Sequence, residues 1–198
     1  AGFAVGMPNL PYSEEDAIQV AQGFGGDKAG AIALTRELAT ETMWNTMADQ
    51  ARLAQYRVIH FSAHGFLSDD DPALSAIVLG QIKRAPDTDG YLTAAELSSV
   101  DLNSDLVVVS TCNSGVSGFT GGEGIMGIAH ALFEAGTHHS LLTLWPIGDR
   151  SSMKFMEKFY EFYRNGEPAP AALASAQRWA IGKGWDTRDW AAYVLHGY

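Results

Sequence analysis

His64 and Cys112 are the two side chains whose type and place best suit proton transfer and nucleophilic attack. A thiol becomes a good nucleophile once deprotonated, and an imidazole exchanges protons near neutral pH. His64 stands in the run Val58-Ile59-His60-Phe61-Ser62-Ala63-His64-Gly65. Cys112 stands in Leu106-Val107-Val108-Val109-Ser110-Thr111-Cys112-Asn113-Ser114-Gly115. Each run opens as an apolar strand and is expected to put its reactive residue just past the strand, with a glycine close behind. Glycine lets the backbone turn and lets a substrate approach its N–H groups. The two residues are 48 positions apart, so only folding joins them, and adjacent parallel strands would do it. Each also has a plain structural reading. A lone cysteine is commonly a small buried hydrophobe, and a strand-end histidine a satisfied polar group. The pair at matching strand ends favours thiol chemistry.

The elements that must position this pair alternate along the chain. Phe3 to Met7 reads as a first strand ended by Pro8. Ser13 is placed to cap a helix through about Gln22, whose first turn carries Glu14, Glu15 and Asp16. Ala31 to Leu34 reads as a weak strand, Thr40 to Leu53 as a helix, and Arg57 to Phe61 as a strand. Ser75 to Leu79 is a further strand, and Thr93 with Glu96 has capping-box spacing. Leu106 to Val109 is apolar without a break, as in a strand buried on both faces. Ile125, Ile128, Ala129, Leu132 and Phe133 share a helical face closed by Gly136. Leu141 to Trp145 is a strand ended by Pro146. Asp149 could cap the next helix, with Met153, Met156, Tyr160 and Tyr163 on one stripe. Pro170 to about Ile181 is a last helix and Trp190 to Leu195 a last strand. This order predicts an α/β domain with a mostly parallel sheet of about six strands and helices on both faces. Ligands in such sheets bind at the carboxyl ends of strands.

Composition narrows the function further. The 198 residues suffice for one well-buried domain. Thirteen Lys and Arg against 23 Asp and Glu give a net charge of −10, which argues against a nucleic-acid surface. No run approaches the roughly 18 apolar residues of a membrane span. A single cysteine allows no internal disulfide and fits a reducing, cytoplasmic setting. The start at Ala1 lacks an initiator Met, which suggests a module of a longer protein.

The motifs in order resemble the CHAT domain, a caspase-like cysteine peptidase module related to separase. The matching stretches are Val58 to Gly65, Asp89 to Leu97, Asp105 to Gly115, Gly122 to Gly127, Leu144 to Asp149 and Trp190 to Gly197. The His-to-Cys separation is close to the about 50 residues of caspases. Two residues stand between Cys112 and Gly115, where the caspase signature has one. That sets the chain with the CHAT and separase branch and removes any reason to expect cleavage after aspartate.

The resemblance implies a caspase-like three-layer sandwich over residues 1–198, a cysteine endopeptidase cutting a partner protein at a specific site with Cys112 as nucleophile and His64 as acid and base. The N–H groups of Gly65 and Cys112 would form the oxyanion hole, where one donor is typically worth about 3 kcal/mol. Asp149, at the place of a specificity acid in separase-like relatives, would select arginine or lysine, with Trp145 and Ser110 completing the substrate site. The other reading of Asp149 is a helix cap, and the two weigh evenly. No cofactor or metal is implied. CHAT domains usually sit at the C-terminal end of larger proteins, under control of other domains or an activator, and bacterial members act in defence or signalling. The Gly- and Ser-rich segment from Asn113 to Glu123 is expected to be a mobile loop that leaves the isolated domain poorly active.

Lesser features carry less. Asp69-Asp70-Asp71 reads as a solvated acidic loop rather than a calcium site. His138 and His139 would point to opposite faces of a strand. Trp179, Trp185 and Trp190 read as packing. A catalytically silent interaction module, or another thiol hydrolase or acyltransferase on the same fold, remains open. A serine hydrolase is disfavoured, since no Gly-x-Ser-x-Gly elbow is present.

Overall fold

The computed structural model describes residues 10–68, 70–81, 86–113 and 123–197, with the backbone alone for residues 111–113. The expected strand Phe3–Met7 and most of the segment after Cys112 lie outside the described residues. Six strands form one sheet in the order β3-β2-β1-β4-β5-β6. They are β1 (Val58–Phe66), β2 (Ala76–Val78), β3 (Tyr91–Thr93), β4 (Leu106–Asn113), β5 (His139–Thr143) and β6 (Tyr193–Gly197). The helices are α1 (Pro11–Gly23), α2 (Glu41–Asp49), α3 (Ala94–Ser98), α4 (Glu123–Glu134), α5 (Asp149–Arg164), α6 (Ala169–Gly182) and α7 (Thr187–Trp190).

The sheet is mixed, which corrects the expectation of a mostly parallel one. β1, β4 and β5 are parallel neighbours, while β2 against β1, β3 against β2 and β6 against β5 are antiparallel. On the β2 and β3 side the reason is connection length. Parallel neighbours need a crossover, and antiparallel ones are reached by shorter returns. Of the nine residues between Phe66 and Ala76, the described ones hold only one short 3-10 turn, Pro72–Leu74. β3 was not anticipated as a strand, because its three residues are too few to show a period.

Two apolar layers cover the sheet. On one face Phe61, Val107, Val109 and Leu142 pack with Trp44 and Met47 of α2, Leu97 of α3 and Ile125, Ile128 and Leu132 of α4. On the other, Leu106, Val108 and Leu141 pack with Phe155, Met156, Phe159 and Tyr160 of α5, and Leu173 and Ala176 of α6. β4 therefore feeds both layers by alternation, as its unbroken apolar run requires. Each fully buried Leu, Ile or Phe contributes roughly 1.5–3 kcal/mol. The expected stripe on α5 is present, and Phe155 and Phe159 widen it.

Local signals were mostly sound at helix starts. Thr93 and Glu96 form the capping box, and Thr40 accepts the Met43 N–H at 3.2 Å. Ser13 is not a cap. Pro11, whose fixed φ suits the first helical position, starts α1 two residues earlier, and the Ser13 hydroxyl donates to the Leu10 carbonyl at 2.8 Å. α2 ends at Asp49 rather than Leu53, and Trp190 belongs to α7 rather than to the last strand. Residues 31–35 form no regular element.

Candidate active site

The site is built where β1 and β4 run side by side. His64 is the Cα partner of Cys112, within a register that starts at Val58 opposite Leu106. On its other side His64 faces Val78 of β2. Both reactive positions lie inside the ladder rather than past it, because β2 pairs with residues 64–66 and prolongs β1. Gly65 is buried, faces Ile77 and Asn113, and is not among the glycines with positive φ. The turn expected there is not made.

The imidazole of His64 is half-buried on the face of β1 that carries His60. Four residues apart on a strand, an even spacing, means the same face, here the one from which Asp16 of α1 and Tyr160 of α5 reach His60. Asp149 is close enough that His64 favours its charged form. It is the first residue of α5, whose N-cap is Gly148 with no side-chain capping bond. The carboxylate turns instead to α1, and Oδ2 accepts the Tyr12 N–H at 2.7 Å. Burial pushes the Asp149 carboxyl above its ordinary range. The Tyr12 amide opposes that shift, nearby Asp16 adds to it and His64 opposes it.

The other expected substrate residues are engaged within the fold. Trp145 donates from Nε1 to the Arg188 carbonyl at 2.8 Å, which ties the end of β5 to α7. The buried Ser110 hydroxyl meets Ser152 Oγ at 2.5 Å, and the Tyr193 hydroxyl donates to Ser152 Oγ at 3.1 Å. Trp179 and Trp185 meet edge to face with centroids 5.2 Å apart, as packing residues do. The Asp71 carboxylate accepts the Ala73 N–H, and Asp69 lies outside the described residues. Among the described residues, no group of three or more His, Cys, Asp or Glu could hold a metal ion.

A buried polar chain next to His64 went unread in the sequence. Asp16 of α1, His60 of β1 and Tyr160 of α5 join three elements. His60 Nε2 lies 3.0 Å from Asp16 Oδ2, and His60 Nδ1 lies 3.0 Å from the Tyr160 hydroxyl. Both the Asp16 and His60 side chains are at most 5% exposed. Burial first, then the charge of Asp16, holds the Tyr160 hydroxyl well above its usual range, so it stays neutral. The one available signal was the four-residue, same-face spacing of His60 from His64. Asp16 had a sufficient local role at a helix start.

A histidine and a cysteine in register at the carboxyl ends of parallel strands, under a half-buried acid, define an α/β domain with a candidate thiol centre. The chain matches the CHAT domain family over residues 3–198 and belongs to that family. It is also similar to human tetratricopeptide repeat protein 28, at 26% identity over 220 residues, covering 95% of this chain and 8% of that protein. The mouse protein of the same name is 33% identical over 87 residues, covering 44% of this chain and 4% of its own length. The chain thus spans less than a tenth of the curated relatives it matches. Among the described residues, no helix is long and apolar enough to cross a membrane.

Proposed function

We propose that this CHAT domain is a cysteine endopeptidase that cuts a partner protein at one site, with regulation supplied by other domains or partners. The observation that carries the reading is the register of His64 with Cys112 across two parallel strands. Cys112 attacks the scissile carbonyl, the sulfur–carbon bond forms, and His64 delivers a proton to the leaving amine. Water then hydrolyses the thioester and returns the thiol. Backbone N–H groups at Gly65 and Cys112 receive the developing negative charge. Asp149 selects a basic residue before the cut, supported by its half-buried carboxyl, held beside His64 by one backbone amide.

Peptidyl electrophiles ending in Arg, Leu or Asp, read by intact mass, test this reading on the chain's one thiol. The expected result is labelling of Cys112 by the Arg probe and its loss in His64→Ala. Labelling by Leu and not Arg removes the specificity assignment and keeps the peptidase. If no probe labels the chain, even joined to its natural flanking domains, the peptidase reading fails and a silent interaction module takes its place.

A further inference from the structure

The outer edge of β6 is open. Among the described residues β6 has a neighbouring strand on one side only, β5. Antiparallel ladders alternate between bonded and non-bonded residue pairs. The Leu144 N–H donates to the Ala192 carbonyl at 2.8 Å, so that pair is of the bonded kind. Stepping by two along the same register makes Leu142 with Val194, and Ser140 with His196, bonded pairs. The backbone groups of Leu195 and Gly197 therefore face away from β5. So does the Tyr193 carbonyl, which accepts from Gln177 Nε2 at 3.3 Å. Exposed edges are usually blunted by charge or proline. Tyr193–Gly197 contains no Lys, Arg, Asp, Glu or Pro.

A cavity of about 450 Å³ opens beside this edge, lined by Phe133, Thr137, Leu195, His196 and Gly197. Two of these residues bring buried polar atoms without a hydrogen-bond partner. They are Oγ1 of Thr137, a residue only 2% exposed, and Nε2 of His196. Ser140, fully buried and opposite His196 in the register, has an unpartnered hydroxyl as well. Folded proteins leave few buried polar groups unpaired, because each loses its hydration without return. Here they gather beside an open strand edge. No Asp, Glu, Lys or Arg among the described residues lines the cavity, so the group that completes it is uncharged.

We infer that the edge of β6 and this cavity bind an extended segment of a partner protein, which adds as a strand and sends an Asn or Gln side chain into the cavity. Backbone bonds at Leu195 and Gly197 supply affinity, and the cavity supplies selectivity, the usual division in strand addition. Side chains alternate along a strand, so every second residue of the segment lies on the face of Val194 and His196. A carboxamide offers a donor and an acceptor together, which suits a hydroxyl beside an imidazole nitrogen. A second copy of this chain fits less well. In the antiparallel register that pairs all five residues of two β6 strands, His196 stands opposite Val194 of the other copy. An isopropyl group leaves both polar atoms unpaired. The cavity lies at the Gly197 end of β6, opposite His139 at the start of β5, whereas His64 and Cys112 stand at the other end of the sheet. This recruiting edge is therefore separate from the thiol centre, and its test does not depend on peptidase activity.

The probes are the peptide Lys-Val-Thr-Val-Asn-Val-Thr-Val-Lys and its analogue with Leu, of similar shape, in place of Asn. Each is titrated into the isotope-labelled chain and followed by backbone NMR and hydrogen exchange. The Asn peptide should shift the Leu195 and Gly197 amides and slow their exchange about tenfold or more. It should bind about tenfold tighter than the Leu analogue, which leaves the polar atoms unpaired. Thr137→Val removes the unpartnered hydroxyl at nearly constant shape. Its urea midpoint should equal or exceed that of the parent chain, and the preference for Asn over Leu should shrink to about threefold or less. No response at Leu195 and Gly197 up to millimolar peptide, or equal binding of the two peptides, overturns the inference. So does a lowered midpoint in Thr137→Val, which would show the hydroxyl already satisfied. Protection of the same amides that rises with protein concentration, without peptide, assigns the edge to a second copy and overturns it too.

Discussion

The Tyr12 amide donates to Asp149 Oδ2 at 2.7 Å and so joins the first turns of α1 and α5, 137 residues apart in the chain. Both helices begin beside the carboxyl ends of β1 and β4, and both N-termini favour negative charge there. The acid that the specificity reading assigns to a substrate is therefore also a structural contact, and its variants must be read with both roles in mind.

Asp149→Asn keeps an oxygen for the Tyr12 N–H and removes the charge. Labelling of Cys112 by an Arg-directed probe should fall at least about tenfold, the size of one lost charge-assisted bond, while a Leu-directed probe is little changed. Acidification should mimic the variant. Burial raises this carboxyl, so preference for Arg should fade at a pH above the ordinary carboxylate range. Equal loss for both probes would assign Asp149 to structure alone.

Asp16→Ala should destabilise the domain by about 1–3 kcal/mol, because it leaves His60 buried with one partner missing. Urea unfolding of the variant measures this. Asp16→Asn, which can still reach His60, should recover part of the loss. An unchanged midpoint for Asp16→Ala would show that the buried chain contributes nothing net.

Glu41 holds the turn before β3. Its Oε2 accepts the N–H of Asp89 at 2.8 Å and of Gly90 at 2.6 Å, where Gly90 has φ +83°. Glu41→Ala orphans both donors and should cost about 1–3 kcal/mol. Burial, only partly offset by the Gly90 and Asp89 amides, raises this carboxyl. The folded state then binds its proton more tightly than the unfolded state does. Stability from this group is therefore highest below the unfolded carboxylate range and falls as pH rises through the raised value. Glu41→Gln should lose that slope in urea midpoints measured from acid to neutral pH.

Gly127 marks a close approach between α4 and the 3-10 turn that follows β1. A Cβ there would lie 2.6 Å from the Pro72 carbonyl oxygen and 2.8 Å from Pro72 Cβ. Alanine normally gains about 1 kcal/mol over glycine inside a helix. Here Gly127→Ala should instead destabilise by about 1–3 kcal/mol through overpacking. Thermal or urea unfolding decides the sign.

Much of this architecture was legible in the residues themselves. The apolar run of β4, the capping box at Thr93, the α4 face and the α5 stripe are local periodicities, and burial on one or both faces forces them. The order of motifs around His64 and Cys112 carried the family. Strand direction at the sheet edges was not legible, because a three-residue strand such as β2 has no pattern that sets its sense. The Asp16–His60–Tyr160 chain and the Tyr12–Asp149 bond were equally hidden. Their members come from helices and strands far apart in the chain, and each has an adequate local role. Periodicity reports what a residue faces, layer or solvent. Which polar group meets which inside that layer is decided only when the helices dock, since a buried donor or acceptor must then find whatever partner packing brings within reach.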